Sequence, residues 1–216
     1  MSAPVSSPRS EPALPPFDPQ PVVLAGRHVR LAPLAEAHAE DLLVAGRDPA
    51  VWRYLAVPPP DTLAATRAWI RAALAAAAGG SQLPFTVIPT ATGHPGGSTR
   101  FIDIRRADRG LEIGWTWIAP AIQRTGVNTE AKLLLLTHAF ETLGAIRVQL
   151  KTDLRNERSQ AAIARLGAQR EGILRRHVIC WDGYLRDTVM FSITREEWPA
   201  VRAKLTERLA QGDRER

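Results

Sequence analysis

The sequence predicts an α+β fold, a single domain in which a central mixed, mostly antiparallel sheet is flanked by helices on both faces. Three observations carry that prediction. Short segments of polar-apolar alternation, the period of a half-buried strand, recur between segments of helical period. Several of those strands are joined by brief Gly- and Pro-containing turns, which only antiparallel neighbours allow. One strand, ending at Ile118, instead runs through a loop into a long leucine-rich helix, the connection a parallel neighbour needs.

The chain has 216 residues, 45% of them hydrophobic, enough for one sizeable core. The first 20 residues are dense in Pro and Ser and are expected to be a disordered tail. The domain should span 21–211, and the charged end, 212–216, should fray.

Within the domain, His28-Val29-Arg30-Leu31 alternates as a strand. A helix is expected from Leu34 to Ala45, a helical turn over Pro49 to Tyr54, and a rigid connector at Pro58-Pro59-Pro60. Asp61 or Thr62 caps a helix that ends at Gly79-Gly80. Leu83 to Ile88 and Ser98 to Ile104 form a hairpin, and Gly110 to Ile118 is a third antiparallel strand. A helix from Asn128 to Leu143 stops at Gly144. Ile146 to Thr152 is a strand and Asn156 to Leu166 a helix closed by Gly167. Ala168 to Val178 and Leu185 to Ile193 pair around Trp181-Asp182-Gly183, and Thr194-Arg195-Glu196-Glu197 is a capping box for the last helix.

Composition narrows the function classes. No apolar run approaches the roughly 18 residues of a membrane span, and no secretory signal pattern opens the chain. A single cysteine, Cys180, excludes an intrachain disulfide and fits a reducing, cytoplasmic setting. The net charge is +6, but the basic residues are scattered, so nucleic acid is not expected as a ligand. A modest positive field also attracts polyanionic small molecules. His94, His138 and His177 are isolated, and no metal-ligand spacing occurs.

The stretch Ala119-Pro120-Ala121-Ile122-Gln123-Arg124-Thr125-Gly126-Val127-Asn128-Thr129-Glu130 carries the strongest chemical signal. A loop entering a helix presents unpaired backbone N–H groups and the positive end of the helix dipole, a site for phosphate. Gly126 lets the backbone approach a ligand closely.

With Glu112-Ile113-Gly114-Trp115-Thr116-Trp117 before it and Asn156-Glu157-Arg158-Ser159 and Arg165-Leu166-Gly167-Ala168 after it, this loop resembles the core of the GNAT N-acetyltransferase superfamily. The chain is similar there to the RimJ/RimL-like branch, whose founding members acetylate ribosomal-protein N-termini. The resemblance spans Val22 to Arg202 and implies a single GNAT-like domain with acetyl-CoA as cosubstrate and no metal. The implied acceptor is an amine, either a protein N-terminus or a small molecule. It is also compatible with a homodimer.

Carried over residue by residue, the resemblance puts the pyrophosphate on Gln123, Arg124, Thr125, Gly126, Val127, Asn128 and Thr129. The backbone amides of Arg124 to Asn128 are the stronger part of that assignment. Asn128 stands where the family has Gly or Ala; Asn tolerates left-handed backbone, and its side chain either caps the helix or touches phosphate. Backbone groups of Trp117 and Ile118 are expected to pair with the pantetheine amides by strand addition. Asn156 is expected to bond the cofactor arm, and Ser159 to protonate the leaving thiolate.

An amine nucleophile also needs a base. Glu112 is the first candidate, placed by alternation on one face with Gly114 and Thr116; a structural salt bridge is the competing role. His177 and Asp182 are weaker alternatives. Trp52, Tyr54 and the Trp181-Asp182-Gly183 turn belong to the two connections that flank the acceptor cleft in this family, or else cover the core. A non-catalytic acyl-CoA-binding module with the same fold is the alternative function.

Overall fold

The computed structural model describes residues 15–214, with side chains described as far as 212. Its strands are β1 (Leu24–Ala25), β2 (Val29–Pro33), β3 (Gln82–Pro89), β4 (Gly97–Arg105), β5 (Gly110–Ile118), β6 (Arg147–Asp153), β7 (Gln169–Ile179) and β8 (Leu185–Thr194). Its α-helices are α1 (Ala39–Ala45), α2 (Leu63–Ala78), α3 (Gly126–Thr137), α4 (Glu157–Leu166) and α5 (Trp198–Arg214). The strands form one sheet in the order β1-β2-β3-β4-β5-β6-β8-β7. Short turns join β1–β2, β3–β4, β4–β5 and β7–β8 as antiparallel pairs, β2–β3 and β6–β8 are antiparallel across longer connections, and β5 with β6, joined through α3, is the parallel pair.

Alternation sorts the side chains into two cores. On one face Leu31, Phe85, Phe101, Leu111, Ile113 and Leu150 pack against Leu135 and Leu136 of α3 and Val201 and Leu205 of α5. On the other, Leu42 of α1, Ile70 and Ala73 of α2, Trp52 and Trp117 make a smaller cluster. Each fully buried leucine- or phenylalanine-sized side chain contributes about 2 kcal/mol over exposure, so the larger core dominates stability.

Several boundaries differ from expectation for local reasons. The helix expected from Leu34 starts as a 3-10 turn, Glu36–His38, where His38 Nδ1 accepts the N–H of Ala35, and becomes α-helical at Ala39. The helix expected from Asn128 starts at Gly126, because Thr125 caps it, and relaxes into a π-turn over His138–Thr142 before Gly144, at φ +65°. Order begins before residue 21: Phe17 is buried in the main core, under the guanidinium of Arg109. At the other end α5 continues past 211 to Arg214. The remainder of the two expected tails, 1–14 and 215–216, lies outside the described residues.

Candidate active site

The site is built around β5, which does two unusual things. Its antiparallel pairing with β4 slips between Ser98 and Arg100, and Trp115 there takes φ +52°, left-handed backbone that a bulky side chain rarely adopts. This is a β-bulge, and it reverses the alternation beyond it. Leu111 and Ile113 face α3, but Trp117, four residues further along from Ile113, faces α2. Thr116 turns toward α3, where its hydroxyl meets Lys132 Nζ at 2.6 Å. The expectation that Glu112, Gly114 and Thr116 share a face is therefore corrected: Thr116 lies on the opposite side. Trp115 and Trp117 both lie on the α2 side, and Trp117 is core, 4.8 Å from the Trp52 ring.

The second feature is a splay. β5 and β6 pair only over Gly110–Glu112 and Arg147–Gln149, so among the described residues β5 from Ile113 onward has no partner strand on that side. Trp117 lies on this open edge, paired to β4 on its other side. Ile118 closes the strand, and its carbonyl accepts Gln123 Nε2 at 3.1 Å. Gln123 Oε1 in turn accepts a hydrogen bond from Arg158 at 2.6 Å. The Gln123 side chain thus braces the strand end to α4, and Arg158, which the sequence did not single out, is drawn to the loop.

Past the splay the chain turns into α3. Arg124 is exposed and sits at φ +60°, so the left-handed residue of the loop is Arg124 rather than Asn128. Thr125 is the N-cap, its Oγ1 accepting the N–H of Val127 at 3.3 Å. Asn128 is the third helical residue, so it neither caps α3 nor carries the turn, and Thr129 follows it in the first turns. Helix geometry leaves the N–H groups of this first turn without intrahelical acceptors. Gly126 matters sterically, since a Cβ there would stand 2.9 Å from the His28 ring. One turn on, the buried Glu130 carboxylate accepts backbone N–H groups of Arg27 (2.9 Å), His28 (2.6 Å) and Val29 (2.9 Å). That clamp pins the helix N-terminus against the β1–β2 turn.

Glu112 is 1% exposed. Its Oε2 lies 3.1 Å from Lys151 Nζ and accepts Gln149 Nε2 at 3.1 Å. Its Oε1 lies over Gly114, where any Cβ would stand 2.8 Å away. The ion pair considered from sequence is present, and it places a carboxylate where β5 and β6 part.

Asn156 is the N-cap of α4, its Oδ1 accepting the Ser159 N–H at 3.0 Å. Ser159 thereby lies in the first turn of α4. His177 is exposed, within the irregularity of the β7–β8 pairing between Leu174 and Val178. Desolvation, then Lys151 and Arg186, lower its pKa, against a smaller opposing pull from Glu112. Asp182 accepts the Tyr184 N–H at 3.0 Å and serves the turn.

The two connections expected beside the acceptor meet at a residue with no sequence signal. The Arg155 guanidinium lies 3.4 Å over the Tyr184 ring and 5.9 Å from the Tyr54 ring, and ion-pairs with the fully buried Asp153 at 2.8 Å. Burial alone would raise the Asp153 pKa, but the hydrogen bonds and charge of Arg155, with Arg186, outweigh it and hold the carboxyl below its ordinary value. Trp52 is core, 1% exposed with its N–H on the Gly46 carbonyl, whereas Trp181 is 57% exposed.

Two further buried cations flank the bulge. Among the described residues Lys132 bonds only to hydroxyls, Thr116 at 2.6 Å and Thr99 at 3.4 Å, and burial pushes its ammonium down to about 7. Arg100 lies on the α2 side between the rings of Trp69 and Trp115. A lone lysine in the Leu-rich run after Ala131 was the one available clue to the first.

Comparison with known proteins gives the same picture. Residues 28–169 match the family model described as Acetyltransferase (GNAT) domain. A GCN5-related N-acetyltransferase from Brucella melitensis superposes with TM-score 0.83 at 32% identity, covering 89% of this chain and 87% of that one. A structure from T. thermophilus described as a "putative acetyltransferase" gives 0.81 at 41% identity over 88% and 98%. The "putative ribosomal N-acetyltransferase YdaF" of Bacillus subtilis (strain 168) is 34% identical over 96 residues, a match spanning 44% of this chain and 51% of that protein. The bulged and splayed strand, the capped loop-to-helix turn and the extent of these matches establish that the chain belongs to the GNAT acetyltransferase family.

Proposed function

We propose that the protein transfers the acetyl group of acetyl-CoA to an amine, the acceptor being a protein N-terminus or a small molecule. The observation that carries the reading is a juxtaposition. An open strand edge (β5 from Ile113) runs into a set of helix N-terminal amides (α3), and Gln123 ties that junction to the first turn of α4 through the Ile118 carbonyl and Arg158.

These residues fit coenzyme A by chemistry. The amides of Arg124 to Asn128 and the exposed Arg124 side chain suit a pyrophosphate. Trp117, Ile118 and Asn156 offer polar groups to the amides of a pantetheine arm; at Ile118 the carbonyl is shared with Gln123. Acetyl-CoA supplies an acetyl group already activated as a thioester. The remaining demands fall on the protein. Glu112 accepts the proton of the attacking amine, directly or through water, and Ser159 Oγ donates the proton that the departing sulfur needs. Lys151 and Gln149 hold Glu112 in place for that role. The ribosomal relative supports a protein N-terminus as one acceptor class.

The experiment is a pair of measurements. Acetyl-CoA should raise the melting temperature, and thiol release with peptide and small-amine acceptors should drop about 100-fold in Ser159→Ala and in Glu112→Gln. A thermal shift with no thiol release from any acceptor would favour a non-catalytic acyl-CoA-binding module. No thermal shift would refute both readings.

A further inference from the structure

We propose that Arg100, with Trp69 and Trp115, forms a subsite for a carboxylate carried by the acceptor. The proposal rests on the reading of Glu112 as the group that takes the acceptor's proton.

Arg100 is 4% exposed, and among the described residues no Asp or Glu reaches it. Its Nη1 donates to Gln82 Oε1, a neutral partner, at 2.9 Å. A buried guanidinium ordinarily has a carboxylate to offset its desolvation. Glu112 is the obvious one, since it stands diagonally across on the neighbouring strand and the same face; Arg100 is paired with Gly114, and Ile102 with Glu112. Yet Glu112 is committed to Lys151.

The surroundings repeat the imbalance. Four buried side-chain N or O atoms among the described residues lack a partner, and three of them are Arg100 Nε, Trp69 Nε1 and Trp117 Nε1. All three are donors in one cluster. A site with surplus donors and an uncompensated positive charge is built for acceptor oxygens that bear negative charge.

Shape selects the class of anion. The faces of the guanidinium are covered, Cζ lying 4.8 Å from the Trp69 ring centre and 4.6 Å from that of Trp115. What remains is the in-plane edge formed by Nε and Nη2, the edge that a planar carboxylate engages with two parallel hydrogen bonds. Trp115 is held there by the bulge. Diagonal neighbours across a strand pair stand about 7–8 Å apart, so the carboxylate sits within a few bonds of the amine that Glu112 serves.

The test uses two matched acceptor pairs, peptides beginning Glu or Gln and the small amines 4-aminobutyrate or butylamine. These arms separate a peptide from a small-molecule source of the carboxylate. For at least one pair the wild type should favour the carboxylate member by at least about tenfold in kcat/KM. Arg100→Gln should remove that preference, the carboxylate member losing at least about tenfold more kcat/KM than its neutral partner. Arg100→Lys, which keeps the charge but not the fork, should fall between and carries the test if the glutamine variant does not fold. No preference in either pair, or equal losses for both members, would overturn the proposal. Tryptophan fluorescence titration with the carboxylate ligand gives a readout without turnover: saturable in wild type and lost in Arg100→Gln if the subsite exists, unchanged between them if it does not. That result stands even if Glu112→Gln leaves turnover intact, which would refute the base assignment only.

Discussion

Replacing Lys132 by Met should stabilise the protein, and the gain should shrink as pH rises. The side chain is buried, its ammonium bonded to two threonine hydroxyls and to no carboxylate among the described residues. Its pKa falls to about 7 from the ordinary 10.5, burial being the cause. The unfolded chain therefore binds a proton more readily than the folded one below 10.5, and stability rises with pH between about 7 and 10.5. At 1.36 kcal/mol per pH unit, the folded protein carries a penalty of about 4 kcal/mol at neutral pH and about 2 kcal/mol at pH 9. Met matches the stem in volume, and Thr99 and Thr116 retain each other as partners at 2.8 Å, so the lost lysine bonds cost only about 1 kcal/mol. Lys132→Met should gain about 3 kcal/mol at pH 7 and about 1 kcal/mol at pH 9. Urea denaturation of both proteins at the two pH values measures this. A difference that is the same at both, or a destabilised variant at pH 7, would refute the desolvation argument.

Glu130→Ala strips acceptors from three backbone N–H groups and should cost about 3 kcal/mol by urea melts. Because the same clamp seats the α3 N-terminus, acetyl-CoA affinity by calorimetry should fall with it; unchanged affinity would show that the helix end is held by other contacts. Burial raises the Asp153 pKa, but the hydrogen bonds and charge of Arg155 outweigh it and leave it lowered, so its stabilising contribution is fully present above the unfolded value of about 3.8 and is lost as pH falls from there through the lower folded value. Asp153→Asn should therefore lower the melting temperature at pH 7, the loss should shrink as pH is taken below about 3.8, and a loss independent of pH would contradict the pairing. A Gly114→Ala substitution sets a Cβ 2.8 Å from the Glu112 carboxylate and 3.0 Å from Ile102; turnover should fall more than acetyl-CoA affinity, and the reverse order would separate Glu112 from the chemistry.

Much of this protein is determined locally. Period-two alternation, Gly and Pro punctuation and the caps at Thr62, Asn156 and Gly167 place most elements, since each depends on neighbours a few residues away. The loop from Gln123 to Glu130 announces an anion site because helix-terminal amides are a property of any helix start. A cap at Asn128 fails for an equally local reason: Thr125 is as good a cap, and choosing between them needs the geometry of the loop. Only the tertiary structure decided the rest. The bulge at Trp115 comes from a slipped pairing with β4, a relation between strands that one strand's alternation does not contain. It sends Thr116 to Lys132 and leaves Trp115 over Arg100. The ion pair of Glu112 with Lys151 joins two different strands, and the clamp of Glu130 on Val29 joins residues 101 apart. Long-range partners of buried charges are set by which strands meet, and that is where the chemistry of this site resides.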